Sequence, residues 1–133
     1  MVSRARDWLR QSLKDYEHAK RSLEMGDYKW TCFASHQAAE KAVKALYQAI
    51  GVEVWGHSVS RMLENLPEDL RPPGELIEGA KELDRHYLPS RYQNFHPEGA
   101  PLDYYTKTDG ERAVKCTGEI IEFVRNKITE TQL

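Results

Sequence analysis

The chain reads as an all-α protein, an up-and-down bundle of four to five helices, and three observations carry that expectation. Residues 30–50, WTCFASHQAAEKAVKALYQAI, contain no proline or glycine and are rich in alanine, so they should form one long helix. Two other long stretches, near 3–25 and 108–128, repeat apolar residues at three- and four-residue steps, the mark of amphipathic helices. Glycine and proline punctuate the segments between them, and no internal repeat or low-complexity tract interrupts the pattern.

Taken in order, the first helix is expected from about Ser3 to Met25, with Trp8, Leu9, Leu13, Tyr16, Ala19 and Leu23 on one face, ended by Gly26-Asp27. So short a link makes the first two helices an antiparallel hairpin. On the second helix, Ala34, Ala38, Ala39, Ala42, Val43, Ala45, Leu46, Tyr47, Ala49 and Ile50 fill an arc of about 220°, too wide for a helix with one neighbour. It should therefore be the central helix, and its alanine edge should allow close approach of a partner backbone. The opposite sector carries Gln37, Glu40, Lys41, Lys44 and Gln48 and is expected to face water. Gly51 should close this helix.

A short segment with Trp55 and Gly56 follows, then a brief helix started by Ser58 or Ser60, carrying Val59, Met62, Leu63 and Leu66 and stopped by Pro67. Pro72-Pro73-Gly74 should begin another helix, with Leu76, Ala80, Leu83 and Tyr87 on one face, ending near Leu88 before Pro89. Residues 90–107, SRYQNFHPEGAPLDYYTK, lack helical periodicity and crowd polar and aromatic groups together. Long loops in compact domains are uncommon and often functional. Thr108-x-x-Glu111 predicts a capping box for the last helix, whose apolar face holds Ala113, Val114, Thr117, Ile120, Ile121, Val124 and Ile128.

The 133 residues suit one domain, with a core that needs no disulfide or metal staple. Charged residues make up 30% and hydrophobic ones 40%, no apolar run reaches the ~18 residues of a membrane span, and the charged N-terminus has no apolar segment of a signal peptide behind it. The expectation is a cytoplasmic protein with no membrane contact. A net charge of −2 excludes a general nucleic-acid coat but leaves room for a local phosphate site. Cys32 and Cys116 have no paired spacing and are expected as reduced core thiols. Cys32 and His36 lie one turn apart, but no third ligand stands at recognisable spacing, so no metal site is expected. His36 is expected as a hydrogen-bonded core group and His57 as a brace for the short helix.

Three pieces together, FASHQAAEKAVKAL on the central helix, the turn Gly56-His57-Ser58, and Tyr87-Leu88-Pro89-Ser90-Arg91-Tyr92, resemble the HEPN family over nearly the whole chain. The resemblance implies a helical bundle, often homodimeric, in many cases encoded beside a minimal nucleotidyltransferase as a toxin and antitoxin pair. Catalytic members of that family are metal-independent ribonucleases that need no cofactor and carry an arginine followed a few positions later by a histidine. The matching residues in this chain are Arg91 and His96, within Arg91-Tyr92-Gln93-Asn94-Phe95-His96. A guanidinium holds a phosphate by two parallel hydrogen bonds, and an imidazole exchanges the proton of a ribose 2′-hydroxyl near neutral pH. Tyr92 directly after Arg91 and Pro97 directly after His96 depart from the family pattern, and Glu98 stands where some toxins carry a modifiable tyrosine.

On that reading Arg91 and His96 are the catalytic residues, and Arg91, Tyr92, Lys41 and Lys44 are the phosphate- or nucleotide-binding ones. One chain offers a single arginine and histidine in this segment, so two copies about a two-fold axis would complete the site, with Tyr92 and Phe95 as a wall for a base. The alternative is a non-catalytic nucleotide-binding or adaptor module in which Arg91, Lys41 and Lys44 contact phosphate.

Overall fold

The computed structural model describes residues 4–87 and 98–130, and among them there are helices and turns but no strand. Five α-helices follow in order: α1 (Ala5–Glu24), α2 (Tyr28–Ala49), α3 (Val59–Glu64), α4 (Gly74–Asp84) and α5 (Lys107–Glu130). Single 3₁₀ turns lie at Glu68–Leu70 and Pro101–Tyr104.

Helix α2 touches all four other α-helices, which is why its apolar arc is so wide. Ala38, Ala39, Ala42, Val43, Ala45 and Leu46 are completely buried, alongside Leu63 of α3 and Val124 of α5. The small side chains bring neighbouring helices close enough for hydroxyls to reach α2 carbonyls or the reverse. Ser12 of α1 donates to the Ala38 carbonyl at 2.6 Å, Thr117 of α5 donates to Ser35 at 2.9 Å, and the Tyr47 hydroxyl donates to Met62 of α3 at 2.6 Å. Each bond joins two elements at a dry contact, where an unpaired hydroxyl would be costly.

Local chemistry ends α1 and α2 in the same way. Gly26 (φ 78°) and Gly51 (φ 75°) take the left-handed conformation. Behind them Asp27 N–H donates to Ser22 and Val52 N–H to Tyr47, the paired bonds of a Schellman motif. Ser58 is the cap of α3, accepting from Arg61 N–H at 3.2 Å. Helix α4 stops at Asp84 rather than near Leu88, with residues 85–87 forming a turn.

The last helix begins one residue before the expected box. Thr106 Oγ1 accepts from Asp109 N–H at 3.1 Å, and Asp109 Oδ2 accepts from Thr106 N–H at 2.9 Å. This reciprocal pair replaces the predicted Thr108 and Glu111, because both residues of a box must flank the first free amides. Thr106→Ala is expected to lower the unfolding free energy by about 1 kcal/mol in urea denaturation, whereas Thr108→Ala should leave the urea midpoint nearly unchanged.

Cys32 lies in the hydrophobic core. Burial, reinforced by the negative charges of Asp109 and Glu82, pushes its thiol up to about 12, so it is protonated at neutral pH.

Candidate functional site

The polar sector of α2 is partly covered rather than open to water. Glu40 retains only 12% of its side-chain exposure and Lys44 15%. Lys41 reaches across to α1 and pairs with Asp15 at 2.6 Å, and Lys44 pairs with Glu40 at 2.9 Å, one turn away. The two lysines expected as phosphate contacts are thus each paired with a carboxylate. The charge pattern on one helix was correctly placed, but the neighbouring elements that cover it were not visible from that helix.

Glu40 is the centre of a cluster drawn from three parts of the chain. Its two oxygens lie 3.2 Å from His57 Nδ1, and Oε1 is 4.0 Å from His36 Nδ1. His36, completely buried one turn before Glu40, has its Nε2 2.9 Å from the His57 carbonyl and 3.3 Å from Asp84 Oδ1. Both of those groups only accept, so Nε2 carries the hydrogen. His36 is a hydrogen-bonded interior group, and it anchors the backbone of the Gly56-His57-Ser58 turn.

Asp84, at the end of α4, clamps the start of α3. It accepts from Val59 N–H at 2.7 Å, Ser60 N–H at 3.1 Å, and the hydroxyls of Ser60 and Ser58 at 2.7 and 3.0 Å. Burial alone would raise its pKa, but the hydrogen bonds from His36, from the Ser60 hydroxyl and amide, and from the Val59 amide hold the carboxyl below its ordinary 3.8. The bracing of α3 expected of His57 is therefore supplied by Ser58 and Asp84, and the His57 ring pairs with Glu40 instead.

That ring is 57% exposed and lies flat on Tyr87, centroid to centroid 4.7 Å with 16° between planes. Tyr87 also meets His36 at 5.1 Å. Beyond Lys44 is a groove of about 200 Å³, lined by Trp8, Tyr47, Gln48, Val54 and the 83%-exposed Trp55 among others. Lys44 borders both places, with its ammonium 5.8 Å from the Trp8 ring.

Arg91, Tyr92, Phe95 and His96 lie outside the described residues. The described chain stops at Tyr87, against His57, and resumes at Glu98, whose carbonyl accepts from the Tyr104 hydroxyl. No helix among the described residues is long and apolar enough to cross a membrane, and they contain no group of three or more metal-ligating side chains.

Neither Asp84 nor the hub role of Glu40 is part of the site expected from the sequence. Glu40 had one usable signal: it stands four residues after His36 and four before Lys44, so all three share a face. Asp84 had none, because its partners are 24 to 48 residues away.

A bundle built on one central helix, with a largely covered carboxylate holding an exposed imidazole against Tyr87, defines a class of small all-α proteins. The chain belongs to the HEPN family: the HEPN domain profile matches residues 5–127. Over 95% of its length it superposes on 99% of the crystal structure of TT1696 from Thermus thermophilus, with 46% identity and a TM-score of 0.92. ST0689, described as an archaeal HEPN homologue, matches 96% of the chain over 99% of its own, with 40% identity and a TM-score of 0.81. The HEPN domain protein tm0613 of Thermotoga maritima matches 92% over 98%, with 38% identity and a TM-score of 0.76. A relative from Methanocaldococcus jannaschii bearing the name "Putative toxin MJ1304" is 27% identical over 138 residues, covering 97% of this chain and 91% of its own.

Proposed function

We propose that this HEPN protein is the toxin-like half of a two-component system and acts on RNA as a metal-independent endoribonuclease through Arg91 and His96. One observation carries the reading: the chain matches a relative named as a toxin along nearly its whole length. The Arg91 and His96 pair supplies the chemistry that such an activity requires. Arg91 holds the scissile phosphate, and His96 exchanges a proton with the sugar or the leaving oxygen. With Lys41 and Lys44 committed to Asp15 and Glu40, the phosphate falls to Arg91. The working unit is a homodimer in which both Arg91 and His96 segments line one cleft, and the restraining partner is a minimal nucleotidyltransferase.

The test is cleavage of a defined RNA in EDTA by the purified protein. Arg91→Ala and His96→Ala are each expected to lower the rate by ~10²- to 10⁴-fold while the protein still sediments as a dimer. Saturable nucleotide binding without cleavage would replace the enzyme by the non-catalytic binding module, and a monomer would remove the shared cleft.

A further inference from the structure

We propose that the groove between α1, the end of α2 and the turn after it is a docking site for an arginine side chain, carried by a basic segment of a partner protein. The site shares no residue with the Arg91 and His96 pair and stands or falls apart from the ribonuclease reading above.

Three aromatic rings line the groove, those of Trp8, Tyr47 and Trp55, and its polar groups are Lys44, Gln48 and Glu53. Trp55 is 83% exposed and Val52, also in the lining, 46%, so apolar surface there lies open to solvent. The turn that presents Trp55 is held on both sides. Val52 N–H donates to the Tyr47 carbonyl at 3.0 Å, and buried His36 donates to the His57 carbonyl at 2.9 Å. A bare indole on a fixed backbone is preorganised for a partner, because that backbone has little freedom left to lose on binding.

Charge selects the occupant. Lys44 is paired with Glu40 at 2.9 Å, whereas exposed Glu53 has no hydrogen bond or ion pair among the described residues. The unpaired charge of the lining is therefore negative. Between Glu53 and Asp84 the chain carries eight acids against three bases, and α3, within that run, is joined to the groove by the Tyr47 hydroxyl, which donates to Met62. Such surroundings attract a cation and oppose an anion. Among the cations of a protein the guanidinium fits best: it is planar, stacks on an aromatic face, gives a carboxylate two parallel hydrogen bonds, and is more weakly hydrated than an ammonium. The Trp8 ring already has one cation near it, the Lys44 ammonium at 5.8 Å from its centroid.

Size argues against a whole nucleotide in the same place. Pockets for small molecules run upward from roughly 300 Å³, and a groove of about 200 Å³ suits one long side chain. A phosphate would also meet the unpaired Glu53 carboxylate. The acidic run after Glu53 is left for the other basic residues of the docked segment.

The experiment follows the indole N–H signals of Trp8, Trp30 and Trp55 by NMR in the isotope-labelled full chain, with Trp30, at the other end of α2, as the internal control. The probes are Nα-acetyl-arginine amide, its lysine analogue, the tripeptide Lys-Arg-Lys and guanosine monophosphate. The arginine probe is expected to move Trp8 and Trp55 saturably and to leave Trp30 in place. The lysine probe should bind more weakly, and the tripeptide more tightly, with an affinity that falls as salt rises. Trp55→Ala and Glu53→Gln, both at exposed positions, should keep the circular dichroism of wild type and weaken the arginine probe by ~2- to 5-fold each. No saturable shift at Trp8 and Trp55, an equal shift at Trp30, equal affinity for lysine, or unchanged affinity in both variants overturns the proposal. Should Trp55→Ala fail to fold, Glu53→Gln decides. Guanosine monophosphate moving the two indoles more strongly than arginine overturns it in favour of a nucleotide, and a wild-type dimer that Trp55→Ala separates into monomers in sedimentation overturns it in favour of a second copy. None of these results bears on RNA cleavage, which His96→Ala tests separately.

Discussion

Asp84→Ala is expected to lower the unfolding free energy by about 3 kcal/mol, read as a drop in the urea midpoint with the slope unchanged. The carboxylate receives two backbone amides, two serine hydroxyls and His36 Nε2. Removing it strands the first amides of α3 and one partner of a completely buried imidazole at the same time. Asp84→Asn should recover only part of the loss, because its amide nitrogen points donors at donors. The same group predicts an acid dependence. Its folded pKa lies below the unfolded 3.8, so its stabilisation is complete above the unfolded value and is lost as pH falls through the folded one. Wild type should therefore lose stability in that acid window more steeply than Asp84→Ala. Equal midpoints for the two proteins at neutral pH would show that the Asp84 clamp is not holding α3.

The second large effect is expected at the centre of α2. Leu46 is fully buried in the main cluster, and Leu46→Ala should cost about 2 to 5 kcal/mol through lost transfer energy and an unfilled cavity. Ala38→Leu should also destabilise, by about 1 to 3 kcal/mol, for the opposite reason. Ala38 has no exposed surface, and its carbonyl sits 2.6 Å from Ser12 Oγ, so extra methylenes must push α1 away and break that bond. Thermal and urea unfolding of both variants give the comparison. An Ala38→Leu protein as stable as wild type would mean that α1 and α2 are not in close contact there.

The order of amino acids was enough to set the number and succession of the helices, the central position of α2, and the glycine stops at Gly26 and Gly51. These are local matters: apolar periodicity shows which arc must be covered, and a left-handed residue after a helix is written in one glycine. It also placed Glu40 and Lys44 on one face as an ion pair. That this face is covered follows only from the packing of the helices. An amphipathic pattern marks the residues that must be buried, but a charged residue is dry or wet according to which other element lies over it. Here α1 contributes Asp15 and the turn after α2 contributes His57, across separations of 26 and 17 residues. Asp84 was beyond reach for the same reason, since a carboxylate that caps another helix gives no sign of it in its own surroundings. The last capping box lies at Thr106 rather than Thr108: Thr106-x-x-Asp109 and Thr108-x-x-Glu111 satisfy the local rule almost equally, and the fold closes the first pair.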